Sequence, residues 1–261
     1  MSDNQHFKHI ISRDNAVFKQ LKKLAESARE RKQESKTLLD GVHLIEGYLQ
    51  AFGEPELLII PEGKSSLEAS NLMQHLQDVR TVMFPTLMFA ELTPVASSTG
   101  ILALVNLPKI APPTEVSFAL MLEDIQDPGN LGSMLRTALG AGVQAVYCSK
   151  GCTDAWSPKA LRGGQGAQFY LNIIENVDLL HAIAEFKGNT YATTMAGESL
   201  YTQDLTVPSA FVIGNEGAGI SAKVLAAANH QLSIPIHADL ESLNAAAAAA
   251  ICLFERKRQT S

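Results

Sequence analysis

Five short apolar runs in the second half of this chain alternate with helical patterns: Phe118 to Leu122, Ala145 to Cys148, Thr190 to Thr194, Ala210 to Ile213, and Gln231 to Ile236. Continuous apolar strands separated by helices require a parallel sheet covered on both faces. The helices are expected over Leu131 to Ala141, Pro158 to Gly163, Leu179 to Phe186, Ser221 to Ala228 and Leu243 to Arg258. Sheets of this kind bind ligands in crevices beyond the carboxyl ends of their strands. The residues that follow each strand are therefore where chemistry is to be sought.

The first half alternates in the same way on a smaller scale. Strands are expected over Thr37 to Asp40, Leu57 to Ile60, Arg80 to Phe84 and Ile101 to Asn106. Helices are expected over Phe18 to Lys32, Val42 to Ala51, Leu67 to Gln77 and Leu87 to Leu92. This is a small α/β layer structure. Between the halves, Pro108-Lys109-Ile110-Ala111-Pro112-Pro113-Thr114 forbids both helix and central strand, so 108–114 reads as a linker between domains 1–107 and 115–261. The longest uncharged helical run, Asn244 to Phe254, falls short of the roughly 20 residues that span a bilayer. The first five residues lack a basic region leading into an apolar one, so no secretion signal is expected. Three cysteines, an odd number, argue against a disulfide framework and for a reducing cytoplasm.

Three motifs stand at strand-to-loop junctions. The first is Asn130-x-Gly132-x-x-x-Arg136, in which Asp-Pro-Gly turns the chain and Asn130 reads as the N-cap of the next helix. Arg136 lies about one and two-thirds turns along that helix and can reach towards the same mouth. The second is Gly214-Asn215-Glu216-Gly217-x-Gly219, whose glycines let backbone approach a ligand and adopt positive φ. The third is Ile234-Pro235-Ile236, read as the end of a strand, followed by Ser242-Leu243-Asn244 and six alanines. Proline removes a donor there, and alanine on every face of two helical turns implies crowding all round. Each motif alone has a plain reading: a capped helix with an exposed arginine, a glycine-rich turn, or an alanine-rich helix.

Other chemistries fit poorly. The second motif is not G-x-G-x-x-G, which disfavours a nucleotide-dependent oxidoreductase, and it lacks the Gly-Lys pair of a phosphate loop. No G-x-S-x-G elbow is present for a hydrolase. Cys148 and Cys152 have no second pair, and His230 and His237 lack ligand spacing, so no metal site is expected. Trp156, the single tryptophan, reads as a loop anchor.

Taken in order, the three motifs resemble the SpoU/TrmH family of S-adenosylmethionine-dependent RNA ribose 2'-O-methyltransferases. The resemblance is most specific from Leu122 to Glu255. It implies a parallel-sheet domain with a deep C-terminal trefoil knot, preceded by a small α/β RNA-binding domain like that of certain ribosomal proteins. The markers of that first domain are Leu39 to Glu46, with Asp40 where the family commonly has Glu, and Ser98 to Ala103. The resemblance further implies that Gly214, Ile234 and Leu243 hold the cofactor through backbone groups, with Asn215, Glu216 and Ile236 lining the pocket and Thr194 closing its adenine side. Arg136 is implied to activate the hydroxyl, with Asn130, Glu216, Ser242 and Asn244 positioning the groups. A homodimer is implied, its site completed across the interface, with no metal required because the sulfonium is already a good leaving group. Two departures are Gly164-Gln165, where relatives often carry small residues such as Ser, Ala or Met, and Ala245, where Val is frequent.

A net charge of −6 is unexpected for an RNA-binding chain, yet it hides an asymmetry. Between Lys8 and Lys36 stand nine basic residues (8, 13, 19, 22, 23, 29, 31, 32, 36) against four acids (14, 26, 30, 34). Such a run either neutralises phosphates or is the solvated face of a helix. The two-domain layout leans towards ribosomal over transfer RNA. The alternative from another class is a catalytically silent RNA-binding protein on the same scaffold, which would not need Asn130, Arg136, Glu216, Ser242 and Asn244 together.

Overall fold

A computed structural model describes residues 7–63, 65–93 and 100–261. The N-terminal pentapeptide read for a leader, and Ser98-Thr99 of the Ser98 to Ala103 marker, lie outside the described residues. The chain forms two compact units, Met1–Lys109 with Trp156–Phe169, and Ile110–Ala155 with Tyr170–Ser261. The first carries β1 (Phe7–His9), α1 (Ala16–Glu26), α2 (Ala28–Glu34), β2 (Lys36–Asp40), α3 (Val42–Phe52), β3 (Leu57–Pro61), α4 (Leu67–His75), β4 (Thr81–Phe84), α5 (Thr86–Ala90) and β5 (Leu102–Asn106). Then follow β6 (Phe118–Leu122), α6 (Pro128–Ala141), β7 (Ala145–Ser149), α7 (Pro158–Gly164), β8 (Asn172–Val177), α8 (Leu179–Glu185), β9 (Asn189–Ser199), β10 (Ser209–Ile213), α9 (Ala222–Ala227), β11 (His230–Ser233) and α10 (Ala245–Gln259). Among the described residues no helix is long and apolar enough to cross a membrane.

In the first unit the sheet order is β1-β4-β3-β5-β2, with β5 antiparallel to both neighbours. Successive strand residues serve opposite faces, and both faces are buried. Leu58, Ile60, Ala103 and Val105 join one core with α3 and α4. Leu57, Ile59, Leu102 and Leu104 join the other with α1 and α5. Leu161 and Phe169 complete the first of these cores, although they stand far along the sequence, and Trp156 packs against it. Thr37 Oγ1 donates to the Trp156 carbonyl (2.7 Å), and Arg162 pairs with the buried Asp40 (3.7 Å). The segment 156–169 is thus a structural part of the first unit.

The helix expected over Phe18 to Lys32 is two helices. Ser27, extended at φ −117° and ψ 116°, ends α1 and caps α2 by accepting from the Glu30 amide. Buried Arg31 then reaches back and donates to the terminal α1 carbonyls of Leu24 (2.6 Å) and Ala25 (3.2 Å). This also changes the reading of the basic run. Arg31 is a structural residue, Arg13 and Lys22 share Glu91, Lys19 pairs with Asp14, and Lys36 pairs with Glu56. Lys23 and Arg29 remain exposed with no ion pair among the described residues.

The second unit is a six-stranded, wholly parallel sheet in the order β11-β9-β10-β6-β7-β8. Ala119, Met121, Ala192, Ala210 and Val212 pack one face against Leu179 and Ile183 of α8 and Val224 of α9. The strand order reverses between β6 and β10, the place where crevices open in such sheets. The edge strand β8 was not anticipated; its residues are only half-buried and too polar to read as an apolar run.

Candidate active site

Each of the three motifs leaves the carboxyl side of the second sheet, and hydrogen bonds join them there. The Asn130 side chain donates to Glu216 Oε1 (3.1 Å) and accepts from the Asn244 side chain (3.1 Å). Those pairs lie 86 and 114 residues apart in sequence. Asn130 can serve both because it is not the cap of α6, contrary to the sequence reading. Asp127 is the cap, accepting from the Asn130 amide (2.8 Å), and Pro128 occupies the first turn, where its missing N–H costs nothing. The helix therefore starts three residues before its expected origin, and the Asn130 side-chain amide is left for the network.

Glu216 also accepts from the backbone of Gln126 (3.2 Å) and Asp127 (3.3 Å), so motif two is clasped onto the loop of motif one. Burial works to raise the Glu216 pKa, but the Asn130 amide, its own backbone and the Gln126 and Asp127 N–H groups outweigh it. The carboxyl is held below the ordinary range and stays ionised at neutral pH, a poor proton acceptor and a good anchor.

The loop itself closes tightly. Asn215 and Gly219 exchange two backbone hydrogen bonds (3.1 and 2.9 Å), and Asn215 Oδ1 accepts from the amides of Gly217 and Ala218. A Cβ on Gly214 would lie 2.4 Å from the Gly219 backbone, so only glycine fits. Gly219 has φ +69°, the left-handed region that glycine enters without strain.

Beside this loop is a cavity of about 350 Å³, within the size range of small-molecule sites. All seven residues expected to hold the cofactor line it: Thr194, Gly214, Asn215, Glu216, Ile234, Ile236 and Leu243. Ser242, Ala245 and Ala248 line it too. The tripeptide Ile234-Pro235-Ile236 does not end a strand as expected; β11 stops at Ser233 and the tripeptide leaves the sheet. Pro235 has no N–H to continue a ladder, and the two isoleucines turn to the cavity instead. Asn244 caps α10, accepting from the Ala246 and Ala247 amides (2.9 and 3.2 Å). The alanine run is not crowded all round: Ala246 and Ala249 are buried, Ala245 and Ala248 face the cavity, and Ala247 is exposed.

Arg136 is the one expected catalytic residue that stands apart. It is exposed on α6, has no hydrogen bond or ion pair among the described residues, and does not line the cavity of its own chain. Asn130 and Asn244 are likewise outside the lining but sit on it through the Glu216 network.

Sequence reasoning missed Thr193 and Met195, which also line the cavity. They come from an excursion of β9: Ala192 pairs with Gln231 and Glu198 with Leu232, which leaves five residues out of the ladder. Gly197 is the available signal, since a Cβ there would meet the Gln231 backbone at 2.5 Å. A glycine inside a strand marks such bulges.

The cavity suits S-adenosylmethionine. Its apolar wall of Ile213, Leu225, Leu232 and Leu243 can cover an adenine, and the Gly214 cradle admits a ligand to the backbone. The polar mouth at Asn215, Glu216 and Ser242 can receive hydroxyl and ammonium groups.

Comparisons with known proteins agree. The SpoU rRNA Methylase family matches residues 117–254. The chain is 33% identical to the 23S rRNA (guanosine(2553)-2'-O)-methyltransferase of Bacillus subtilis, covering 95% of this chain and 98% of that one. It superposes with a TM-score of 0.81 on a crystal structure of an RNA 2'-O ribose methyltransferase, 29% identical, covering 96% of this chain and 98% of the other. It also superposes, with a TM-score of 0.80, on the SpoU methyltransferase AviRb from Streptomyces viridochromogenes in complex with AdoMet. That chain is 27% identical, over 94% of this one and 98% of its own length.

Proposed function

Because this chain belongs to the SpoU rRNA methylase family, we propose that it transfers the methyl group of S-adenosylmethionine to a ribose 2'-hydroxyl of ribosomal RNA. The observation that carries this reading is the hydrogen-bonded closure of Asn130, Glu216 and Asn244 at the mouth of the cavity. A silent RNA-binding protein would have no use for that closure. The relatives named for ribosomal RNA favour it over transfer RNA as substrate.

When bound, the cofactor supplies an electrophilic methyl on a sulfonium, and no metal is needed to make the sulfur leave. Gly214, Ile234 and Leu243 would hold it through backbone groups, with Thr194, Asn215, Glu216 and Ile236 around it. Glu216 stays ionised and tied to three donors, so its role is to fix the loop. Asn130 and Asn244 hold motif one against motif three, and Ser242 is among the residues that line the cavity. Arg136 is the remaining group for the ribose. A guanidinium cation has five N–H donors and no acceptor, so it is a poor base. Its part is to orient the hydroxyl and an RNA phosphate and to offset developing negative charge.

The quaternary reading, a homodimer, rests on the family resemblance and has support from the position of Arg136. It lies outside the cavity of its own chain, on the α6–α10 pair that also exposes Leu139 and Phe254. A homodimer through this face would bring Arg136 of one protomer towards the site of its partner. A deep trefoil knot is proposed on the family resemblance, with support from the strand order, in which β10 lies between β9 and β6 and β11 returns outside β9. The first unit is proposed to bind RNA, with residues 1–107 as its main span, and the catalytic domain to run from 115 to 261 apart from the 156–169 segment that belongs to the first unit. The free thiols suit a reducing cytoplasm.

The test is incubation of the purified chain with labelled S-adenosylmethionine and ribosomal RNA from cells lacking it. Label in ribosomal RNA supports the reading. Cofactor binding without transfer to free RNA or assembling particles would move the assignment to the silent RNA-binding protein.

A further inference from the structure

We propose that Asp124 is a positioning residue for the cofactor loop, held in a left-handed backbone conformation by Ser149 and aiming its carbonyl at Asn215. The inference rests on the reading that the Gly214–Gly219 loop holds S-adenosylmethionine. None of Asp124, Ser149 and Gly151 lines the cofactor cavity.

Asp124 follows β6 with φ +54°, one of four non-glycine residues with positive φ among those described. A non-glycine residue there bears a steric cost, and aspartate is among the more tolerant types. Something must hold it. The Asp124 amide donates to Ser149 Oγ (2.9 Å), and Ser149 Oγ donates back to Asp124 Oδ1 (2.6 Å). This reciprocal pair fastens both ends of the residue to the end of β7. Gly151 makes room for it: a Cβ there would fall 2.1 Å from Asp124 Oδ1. The same turn is laced to motif one by Gln126 Nε2 donating to the Gly151 carbonyl (3.0 Å) and by the Thr153 amide donating to Ile125 (2.8 Å).

The consequence lies on the other side of the residue. The Asp124 carbonyl accepts from Asn215 Nδ2 (2.8 Å). With its amide fixed, the Asn215 side chain presents its oxygen to the amides of Gly217 (2.9 Å) and Ala218 (2.8 Å). One side chain thus converts the backbone conformation of residue 124 into the shape of the loop. Without Ser149, residue 124 relaxes towards negative φ and its carbonyl swings from Asn215.

The test is calorimetric affinity for S-adenosylmethionine on the full-length chain, with the melting temperature of the unliganded protein alongside. Ser149→Ala is expected to weaken binding about 3- to 10-fold, and Gly151→Ala, which pushes the carboxylate off Ser149, to do the same. The deciding measurement is rescue. Glycine adopts φ +54° unaided, so adding Asp124→Gly to Ser149→Ala should restore at least threefold in affinity. A merely structural serine would not be rescued this way. Unchanged binding in Ser149→Ala, or loss without rescue, overturns this inference and leaves the cofactor reading standing. A wild-type chain that does not bind, or a Gly214→Ala variant that binds as wild type, overturns the cofactor reading itself.

Discussion

Asn130 offers a sharp perturbation because it is bonded to both other motifs, and two substitutions at this one position separate hydrogen bonding from charge. Asn130→Ala removes two side-chain hydrogen bonds of 3.1 Å each. A net hydrogen bond is worth about 0.5–1.5 kcal/mol. Both bonds are solvent-exposed, which favours the low end, so the loss is about 1 kcal/mol, or about fivefold in cofactor affinity. Asn130→Asp keeps the size and the acceptor for Asn244 but replaces the Glu216 donor by a second carboxylate. At the 3.1 Å that separates Asn130 Nδ2 from Glu216 Oε1, two unit charges repel by about 1 kcal/mol in water and about 5 kcal/mol at an effective dielectric of about 20. The larger, more conservative-looking residue should therefore be worse than alanine, by at least about 1 kcal/mol after side-chain relaxation. Calorimetry of S-adenosylmethionine binding at low and high salt measures this. The gap between Asp and Ala should narrow with salt. It should also narrow as pH falls and one carboxyl of the like-charged pair takes up a proton. An Asn130→Asp chain that binds as well as Asn130→Ala would refute the charge network as the element that shapes the site.

Three further outcomes are expected. Arg136→Ala should lower kcat at least about 100-fold, as loss of a transition-state donor does, while cofactor affinity stays within about twofold; turnover at the wild-type rate would remove Arg136 from the mechanism. Paired charge reversal, Lys23→Glu with Arg29→Glu, should weaken RNA binding and flatten its salt dependence by about one to two phosphate contacts; an unchanged slope would return the first-unit face to plain solvated surface. Cys152 should be the first thiol alkylated. Its side-chain hydrogen bond with Cys148 lowers its pKa to about 7 against the opposing effect of burial, whereas burial pushes Cys252 up to about 12. Because the thiolate is the nucleophile, labelling should rise through about pH 7 and be read by peptide mass mapping; equal labelling of Cys252 would contradict this.

Legibility differed by the physics of each feature. Buried strands announce themselves because both faces exclude polar residues, so Phe118–Leu122 was readable to its ends. The half-exposed edge strand Asn172–Val177 carries no such constraint and was not readable. Caps misled: Asn130 has the right chemistry, yet Asp127 also has it and precedes a proline suited to the first turn. The basic run was visible as composition, but its pairing with Glu91, Asp14 and Glu56, and the burial of Arg31, depend on tertiary neighbours that no local window contains. The same holds for 156–169, whose Leu161 and Phe169 fill a core built mostly from residues before 110. At the cavity, the glycines were legible because close backbone approach leaves a mark in residue type, whereas Ile234, Ile236 and Leu243 came from the family resemblance alone. Thr193 and Met195 were not legible, because an excursion from a strand leaves only one glycine as its trace.

The central claim is that this site places a methyl on a ribose oxygen, and the position of the transferred methyl tests it most directly. Ribosomal RNA labelled by the purified chain would be digested to nucleosides and the methylated one identified by mass spectrometry, with alkaline cleavage of the intact RNA alongside. The account predicts a single 2'-O-methylated nucleoside whose 3' phosphodiester resists alkali, present with the wild-type chain and missing with Arg136→Ala. A methyl on a base, in RNA that alkali still cleaves at that nucleotide, would contradict it.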